Sequence, residues 1–497
     1  MRYISTRGGE SVSPSYALLH GLAENGGLYV PETFPEQVLC LEELENKSYQ
    51  QIAVTVLEYF FPNFSGEELE HMVHAAYRKE TFDRPEIVPL HSIDAHISAA
   101  ELFHGRTLAF KDLALSVFPY MLTAAKKQEH EERDILILTA TSGDTGKAAL
   151  EGFRDVEGTN IMVFYPSEGV SPIQAMQMKK QEGDNVKVCA IEGNFDDAQR
   201  FLKQVFTDEE TNAYAHHHGL LFSSANSINI GRLLPQVVYY AAVYGQLVTS
   251  GCIDEGGAFD VIVPTGNFGN ILAAYFAKKM GIPIRKLYCA SNSNRVLADF
   301  FATGVYDMNR EFYTTISPSM DIVESSNFER FLYYAAGEDA EKTASWMKSL
   351  RETGRLEVSE QERKGIEKEF GAAWIGDEET QAVIAQVYNS FGYLLDPHTA
   401  VGFGVYLHTG AKEAAPVHTV LMATAHPFKF PPAVSAALEL EAAEDPFQTL
   451  EDICACTGMH LPKPIEELKN KPIRFSEIIQ KEEMKAAVRA FIEEKAK

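Results

Sequence analysis

The stretch Phe103-His104-Gly105-Arg106-Thr107-Leu108-Ala109-Phe110-Lys111-Asp112 places a lysine after an apolar run and at the start of a helical pattern. Beyond it, apolar residues recur at the spacing of one helical face, namely Leu113, Val117, Tyr120 and Ala124. An amine at such a junction is partly removed from water, and this lowers the pKa of a lysine. Neutral lysine attacks carbonyl groups, so Lys111 is suited to form a Schiff base. Most lysines are exposed, however, so Lys111 alone does not establish this chemistry.

A glycine-rich turn follows between a predicted strand and a predicted helix. Residues 134–147 read Asp-Ile-Leu-Ile-Leu-Thr-Ala-Thr-Ser-Gly-Asp-Thr-Gly-Lys, and the apolar run Ile135 to Leu138 predicts a buried strand. Glycine permits a tight turn in which backbone N–H groups converge on an anion, and a helix N-terminus favours negative charge. Ser142 and Thr145 add hydroxyl donors. This turn is therefore suited to bind a phosphate.

A second turn of the same design lies at residues 259–270, which read Phe-Asp-Val-Ile-Val-Pro-Thr-Gly-Asn-Phe-Gly-Asn before a helical run. Neither turn has the spacing of a Walker loop or of a dinucleotide-binding fingerprint. Each turn alone is weak evidence, because strand-to-helix turns also use glycine for steric reasons. Together with Lys111, the two turns suggest two phosphates, one on a cofactor and one on a substrate. Lys147 and Lys429 are the rival lysines for the Schiff base.

The chain resembles the threonine synthase family, pyridoxal-phosphate enzymes whose fold is shared with tryptophan synthase β, cysteine synthase and threonine dehydratase. The resemblance covers nearly the whole chain. The segments that carry it are 3–8, 17–31, Leu108-Ala109-Phe110-Lys111-Asp112, Thr141-Ser142-Gly143-Asp144-Thr145-Gly146, Asn226-Ser227-Ile228-Asn229, Gly266-Asn267-Phe268-Gly269-Asn270, Asp396-Pro397-His398-Thr399-Ala400-Val401 and Thr424-Ala425-His426-Pro427. The sequence departs from the family at Arg106, where the family motif has proline; we expect this arginine to be exposed.

The resemblance implies an α/β fold of the tryptophan synthase β type, with two open, mostly parallel sheets flanked by helices and an additional N-terminal domain. It also implies roles for individual residues in this chain. Lys111 would hold pyridoxal 5'-phosphate and act as the catalytic base, and no metal site is expected. The other cofactor-binding residues would be Gly266, Asn267, Phe268, Gly269, Asn270 and Thr424, with the Thr424 hydroxyl facing the pyridine nitrogen. The substrate-binding residues would be Ser142, Asp144, Thr145, Asn226 and Arg232.

Some of these assignments have alternatives. Arg232 follows Asn226 by six residues on a helix predicted from Ile230 to Tyr240, and it is either a cation for the substrate phosphate or part of a surface salt bridge. Thr424 could be a core threonine at a strand end. His398 and His426 could be acid–base groups, although a histidine beside a proline is more often structural.

The reaction that the resemblance implies converts O-phosphohomoserine and water to threonine and phosphate, the last step of threonine biosynthesis. One alternative keeps the fold and cofactor but releases a 2-keto acid and ammonia. Another is a non-catalytic binding protein on the same scaffold.

Composition limits the possible partners. The 497 residues carry a formal net charge of −26, which argues against nucleic acid and against anionic membrane surfaces. An anionic substrate must therefore be attracted by a local group of cations. The six cysteines show no disulfide or zinc spacing, and there is no apolar signal segment, so we expect a cytoplasmic protein. For its assembly we expect a monomer or a small homo-oligomer, between which the sequence does not distinguish.

The alternation of predicted strands and helices divides the chain into regions. Residues 1–95 form an N-terminal domain without a phosphate loop. Residues 96–225 form an α/β domain with Lys111 and the substrate loop, and residues 226–430 form an α/β domain with the cofactor-phosphate loop. The latter contains a charged helical insertion near 305–390, and residues 431–497 form a C-terminal helical segment.

Overall fold

The computed structural model describes residues 1–141, 143–168, 170–409 and 417–495, with only the backbone for residues 195 and 196. The strands in these ranges are β1 (Tyr3–Ser5), β2 (Tyr29–Pro31), β3 (Leu90–Asp94), β4 (Ile97–Glu101), β5 (Asp134–Ala140), β6 (Thr159–Pro166), β7 (Val186–Glu192), β8 (Leu220–Ser223), β9 (Phe259–Pro264), β10 (Ile284–Ser291), β11 (Val305–Asp307), β12 (Arg355–Glu357), β13 (Phe370–Trp374), β14 (Thr419–Ala423) and β15 (Ile478–Gln480).

The α-helices in the described ranges are α1 (Pro14–His20), α2 (Leu41–Leu44), α3 (Tyr49–Phe60), α4 (Gly66–Ala76), α5 (Lys111–Leu115), α6 (Phe118–Gln128), α7 (Asp144–Phe153), α8 (Pro172–Lys179), α9 (Phe195–Thr207), α10 (Glu209–His217), α11 (Ile230–Leu233), α12 (Pro235–Thr249), α13 (Gly269–Lys279), α14 (Val296–Thr303), α15 (Phe328–Ala335), α16 (Ala340–Thr353), α17 (Glu360–Glu369), α18 (Asp377–Phe391), α19 (Pro397–His408), α20 (Pro431–Ala437), α21 (Pro446–Thr457), α22 (Lys463–Asn470) and α23 (Met484–Lys495). Short 3₁₀ helices lie at Pro318–Met320, Pro427–Lys429 and Lys481–Glu483.

Two sheets form the body of the molecule. The first has six strands in the order β13-β10-β9-β14-β4-β3, and the second has five strands in the order β15-β7-β6-β5-β8. Neighbouring strands run parallel in both sheets except β3 and β4, which are antiparallel. Helices pack against both sheets, as the continuously apolar strands require. This arrangement confirms the predicted fold class.

The predicted division of the chain into regions remains a prediction, and strand pairing crosses its boundaries. β3 and β4, on either side of the boundary at residue 95, belong to the six-stranded sheet because β4 pairs with β14. β15, from the C-terminal segment, pairs with β7. The segment 305–390, predicted as helical, also supplies β13 to the edge of the six-stranded sheet. The sheets are thus built from segments far apart in sequence.

The helix that follows Lys111 differs from the sequence-based expectation. The apolar spacing from Leu113 to Ala124 predicts one continuous helix, but the structure has α5 and then α6, separated at Ser116 and Val117. Pro119 is in the first turn of α6. A proline lacks an N–H donor and collides with the carbonyl four residues earlier, so a helix ends before it. Pro235 separates α11 from α12 in the same way within the predicted helix from Ile230 to Tyr240.

The N-terminal region is held to the body by buried polar contacts. The Arg7 guanidinium donates to the Glu329 carboxylate at 2.7 and 2.8 Å, and the Thr6 hydroxyl donates to the same carboxylate at 2.6 Å. Arg330, which is fully buried, donates to the carbonyl of Tyr29 at 2.9 Å. Such charge-assisted bonds fix the position of the first strands relative to α15. In the described ranges, every helix is too short or too polar to span a bilayer.

Two helical glycines provide a stability test of this packing. A Cβ at Gly152 in α7 would overlap the backbone carbonyl of Leu115 in α5, whereas a Cβ at Gly365 in α17 would meet no atom within 4 Å. We predict that Gly365→Ala stabilises the protein by about 0.5–1 kcal/mol, through the better helix propensity of alanine. Gly152→Ala should destabilise it by about 1–3 kcal/mol, because α5 and α7 must separate. Denaturant unfolding measures both changes; equal gains in the two variants would contradict the tight contact.

Candidate functional site

The backbone before Lys111 is paired with the chain that follows β14. Phe110 N–H donates to the carbonyl of Thr424 at 2.8 Å, and His426 N–H donates to the carbonyl of Leu108 at 3.0 Å. Ala109 and Ala425 form the antiparallel bridge between these two bonds. Lys111 therefore lies at the start of α5, beside the carboxyl end of a central strand. Ligands of open α/β sheets bind at this end of the strands.

A buried aspartate holds the turn that presents Lys111. The Asp112 carboxylate accepts hydrogen bonds from Thr107 N–H at 2.8 Å and the Thr107 hydroxyl at 2.6 Å. A Cβ at Gly105 would overlap this carboxylate, which explains the glycine. Burial raises the pKa of Asp112 to about 6, although the Thr107 bonds oppose the shift. Arg106 points away from Lys111: it is partly buried, and donates to Glu151 at 3.0 Å and to the Glu80 carbonyl at 3.1 Å, so it is less exposed than expected.

Lys111 is half-buried, and its amine has no hydrogen bond or ion pair to any described residue. Burial lowers the pKa of Lys111 to about 8. The carboxylate of Asp144 acts against this shift, while the positive charges of Lys429 and Arg232 add to it. At pH 7 about one amine in ten is then neutral, against fewer than about one in a thousand for an ordinary lysine. Lys111 is thus an available nucleophile and base.

Asp144 and Lys429 form a buried ion pair beside Lys111. The Lys429 ammonium lies 2.5 Å from Asp144 Oδ1 and donates to the Thr107 carbonyl at 2.7 Å. The Gln174 side-chain amide donates to Asp144 Oδ1 at 2.7 Å. Burial alone would raise the pKa of Asp144, but Lys429 and Lys111 hold it below its usual range. Sequence reasoning named Lys429 only as a rival lysine; its signal was a basic residue within the apolar run that follows Pro427.

The first glycine turn joins β5 to α7. The Thr141 side-chain oxygen accepts hydrogen bonds from Gly143 N–H at 3.0 Å and Gly146 N–H at 2.9 Å. Thr145 is half-buried in the first turn of α7, next to Asp144. Ser142, also predicted to bind substrate, lies outside the described residues. The other rival lysine, Lys147, is turned away from this site, since its amine pairs with Glu151 at 3.2 Å and with Gln181.

The second glycine turn joins β9 to α13. Phe268 has a left-handed backbone, with φ at 60°. The backbone N–H groups from Gly266 to Asn270 have no acceptor among the described residues. The Asn270 side chain is buried, and its oxygen accepts from the hydroxyls of Tyr239 and Tyr240. Its Nδ2 has no partner. This turn is therefore a set of converging donors without an acceptor, which is the arrangement that binds an anion.

Not every side chain of the predicted cofactor loop faces that set of donors. The Phe268 ring is buried and stacks with Phe301 at 6.1 Å between ring centroids, so only the backbone of Phe268 can contact a ligand. Asn267 is exposed, and its carbonyl accepts from Asn327 N–H and Nδ2, both at 3.1 Å. A Cβ at Gly266 would overlap the carbonyl of Ser319. Asn327 and Ser319 support the loop although the sequence carried no signal for either.

Arg232 is a buried cation without a carboxylate. It is 3% exposed, donates to the Ala225 carbonyl, and forms no ion pair with any described residue. Its Nε has no partner, and burial lowers the pKa of the guanidinium to about 10. A surface salt bridge, the alternative interpretation, is therefore wrong. Asn226 precedes α11; it is half-buried, and its side-chain amide has no hydrogen bond to the described residues.

Thr424 and the two histidines lie near the same strand end. Thr424 is 6% exposed, and its hydroxyl has no hydrogen-bond partner among the described residues. His398 is committed at both ring nitrogens: Nδ1 lies 2.7 Å from Asp396, and Nε2 accepts from Ser319 N–H at 3.1 Å. His426 Nδ1 accepts from Phe428 N–H at 3.1 Å, and burial lowers the pKa of this imidazole to about 3. Both histidines therefore serve structural hydrogen bonds.

Comparisons with known proteins agree over most of the chain. Residues 2–77 match the family model for the threonine synthase N terminus, residues 87–424 that for pyridoxal-phosphate dependent enzymes, and residues 399–492 that for the threonine synthase C-terminal region. Threonine synthase of Schizosaccharomyces pombe is 38% identical over 467 residues, 88% of this chain and 89% of the relative. Threonine synthase-like 1 of Macaca fascicularis is 39% identical over 438 residues, and the match covers 86% of this chain but only 58% of that longer protein.

The structure is similar to a crystal structure described as PLP-bound threonine synthase from Brucella melitensis. The TM-score is 0.86 with 38% sequence identity, and the match covers 99% of both chains.

The shifted pKa of Lys111 gives a prediction for the cofactor-free protein. Uptake of pyridoxal phosphate requires the neutral amine, so its rate should rise with pH through a midpoint near 8 rather than near 10.5. Arg232→Gln should move the midpoint upward, because the Arg232 charge lowers the pKa of Lys111. Stopped-flow absorbance over a pH series measures the rate. The exposed Arg351 in α16 supplies the control Arg351→Gln, which should leave the midpoint unchanged. A midpoint near 10.5 in the unmodified protein would contradict the assignment.

Proposed function

The chain belongs to the threonine synthase family of pyridoxal-phosphate-dependent lyases, and we propose that it converts O-phospho-L-homoserine and water to L-threonine and phosphate. The observation that carries this proposal is Arg232, a buried guanidinium without a carboxylate partner among the described residues. Like Lys429, it lowers the pKa of the Lys111 amine. A buried cation of this kind costs free energy unless an anion completes its environment. A phosphate on the substrate is such an anion.

The residues around Lys111 fit pyridoxal phosphate. The unpartnered Asn270 Nδ2 and the free N–H groups from Gly266 to Asn270 supply donors for the cofactor phosphate. Lys111 supplies the amine that holds the cofactor, and the Thr424 hydroxyl is free to bond the pyridine nitrogen as donor or acceptor. When bound, the cofactor supplies an electron sink that stabilises negative charge on the substrate carbon next to it.

In this proposal, the Lys111 amine transfers the proton. Its lowered pKa leaves neutral amine available near pH 7, so it can remove the proton from the substrate Cα. The ion pair with Lys429 and the bond from Gln174 hold the Asp144 carboxylate in place. Asp144 in turn raises the pKa of Lys111. This opposing effect keeps the lysine able to carry a proton between steps.

Substrate binding falls to the first glycine turn and to Arg232. Thr145 and Asp144 lie at the start of α7, where the helix N-terminus favours an anionic group. Ser142, in the same turn, would add a hydroxyl donor, and the free amide of Asn226 lies on the loop before Arg232. Arg232 would bind the leaving phosphate. In this proposal, the backbone N–H groups from Gly266 to Asn270 bind the cofactor phosphate, which stays in the protein. The buried guanidinium of Arg232 binds the substrate phosphate, which leaves.

The site gathers the cations Lys111, Lys429 and Arg232 within an acidic protein. Lys429 and Arg232 place positive charge near the Lys111 amine, and Asp144 opposes them, whereas the whole chain has a formal net charge of −26. Such a local excess attracts a phosphorylated amino acid over the last few ångströms, the range that salt does not screen. It also favours substrates with a phosphate over those without one.

The same proposal covers location and assembly. All six cysteines are free, which supports a reducing compartment such as the cytoplasm. We propose that the protein is either a monomer or a small homo-oligomer, and analytical ultracentrifugation distinguishes the two.

The reaction and its base are tested together. We predict that purified protein forms equal amounts of threonine and phosphate from O-phosphohomoserine, and that Lys111→Ala folds but loses activity by several orders of magnitude. The variant should also lack the near-visible absorbance of the bound cofactor. Borohydride reduction followed by peptide mapping should label Lys111. Label on Lys429 would contradict the assignment, and 2-ketobutyrate with ammonia in place of threonine would establish the keto-acid alternative.

The role of Arg232 has its own test. Arg232→Gln should lower kcat/KM for O-phosphohomoserine by roughly tenfold to a hundredfold, since a hydrogen bond to a charged group contributes about 1.5–3 kcal/mol. The loss should be confined to substrates with a phosphate, so slow turnover of an unphosphorylated amino acid should change little. The exposed Arg351 again supplies the charge-matched control, Arg351→Gln. Equal losses for phosphorylated and unphosphorylated substrates would show that Arg232 has no phosphate-specific role.

A further inference from the structure

A polar cavity lies away from Lys111, between α7, α8 and α22. Its volume is about 280 Å³, at the lower end of the range for small-molecule sites. It is lined by more basic than acidic side chains. The six basic ones are Arg106, Lys147, Arg154, Lys180, Lys463 and Lys471, against four glutamates. In a chain with a formal net charge of −26, this cavity is a local exception.

The cations converge on a single buried carboxylate at one side of the cavity. Glu151 lies 3.0 Å from Arg106, 3.0 Å from Arg154 and 3.2 Å from Lys147. One carboxylate cannot neutralise three cations. Burial would raise the pKa of Glu151, but these neighbours hold it well below its usual range. Arg154 also lies 3.5 Å from Glu182, and over the whole lining the six basic side chains exceed the four glutamates by two.

Lys180 adds a charge that no acid neutralises. Its amine donates to the carbonyls of Leu468 at 2.9 Å and Lys469 at 3.5 Å, and it forms no ion pair with any described residue. Lys471, just after α22, pairs with Glu182 at 2.9 Å, lies 4.0 Å from Glu467 and remains partly exposed. The two lysines thus flank the cavity at the junction of α8 with the C-terminal segment. An anion in the cavity would be within the influence of both amines.

An unpartnered amide points independently to a missing ligand. Gln177 lines the cavity, is 2% exposed, and its Oε1 is buried without a hydrogen-bond partner. This oxygen is an acceptor, so the partner that it lacks is a hydrogen-bond donor. A buried polar group is normally paired, because leaving it unpaired costs free energy. A protonated oxygen of a bound phosphate group would provide that donor to Gln177.

We propose that this cavity is a second binding site, separate from the candidate active site, for a small phosphate-bearing anion. Arginine and lysine together suit a phosphate, since the guanidinium binds two oxygens and the ammonium groups add point charges. The volume accommodates a small metabolite. Gln177 follows Gln174 by one turn of α8, and Gln174 holds Asp144, so the two sites share this helix.

The test is calorimetric titration of inorganic phosphate into the holoenzyme, which needs no turnover. We expect Lys471→Gln to weaken phosphate binding at this site by roughly tenfold, as loss of one charged donor implies. Lys364→Gln, which removes an exposed charge on α17, is the matched control and should bind like the unmodified protein. Arg232→Gln should leave this binding intact, so the result does not depend on the proposed reaction.

A second variant separates ligand binding from folding. Gln177→Glu places a carboxylate where we expect an anion, so it should abolish phosphate binding here and raise the melting temperature measured without phosphate. An amide needed only for packing would give a lower melting temperature and unchanged phosphate binding. Equal phosphate affinities for Lys471→Gln and Lys364→Gln, or loss of all phosphate binding in Arg232→Gln, would overturn the proposal.

Discussion

The buried ion pair between Lys429 and Asp144 is the contact on which the site depends. Asp144 begins the helix after β5 in the five-stranded sheet, and Lys429 follows β14 of the six-stranded sheet. Their contact at 2.5 Å therefore joins the two sheets, and the bond from Lys429 to the Thr107 carbonyl includes the Lys111 turn. Removing one partner of a buried pair leaves an uncompensated charge, which costs about 3–5 kcal/mol. The contact between Lys429 and Asp144 thus fixes both the relative position of the two sheets and the charges near Lys111.

Burial and neighbouring charges together set the pKa of Lys111. Burial is the larger influence on its pKa, and the two nearby cations act in the same direction, while Asp144 limits the shift. The result, a pKa of about 8, lies where a lysine can both release and regain a proton near neutrality. A fully exposed lysine would stay charged, and a lysine without Asp144 nearby would hold its proton too weakly.

The two phosphate sites proposed for the cofactor and the substrate bind phosphate through different interactions. The loop from Gly266 to Asn270 offers backbone N–H groups, which keep a fixed direction because Asn327 and Ser319 support the turn. Arg232 offers a charged side chain, held by the Ala225 carbonyl and enclosed by protein. A permanent ligand suits the first arrangement, and a group that must arrive and leave suits the second. The basic cavity beside α22 extends the use of buried cations in this acidic chain.

How far the sequence predicts the structure depends on the range of each interaction. The apolar run in β5, the glycine turns at Gly143 and Gly266, and the position of Lys111 at a helix start are local patterns, readable because strands and helices have fixed periods. The family motifs extended this to the fold class. One local prediction was wrong. The apolar spacing continues across Pro119 and predicts a single helix, but the proline divides that helix into α5 and α6.

What the tertiary structure decided is which distant residues meet. Lys429 meets Asp144 across almost 300 positions, Asn327 supports a loop 60 residues away, and Arg330 reaches Tyr29 across 301. No periodicity encodes such pairs, because they arise only when separate segments pack into one core and each buried polar group needs a partner. The sequence by itself thus determined the local elements and the position of the candidate lysine at a helix start. Packing alone decided the burial that shifts its pKa and the cations that surround it.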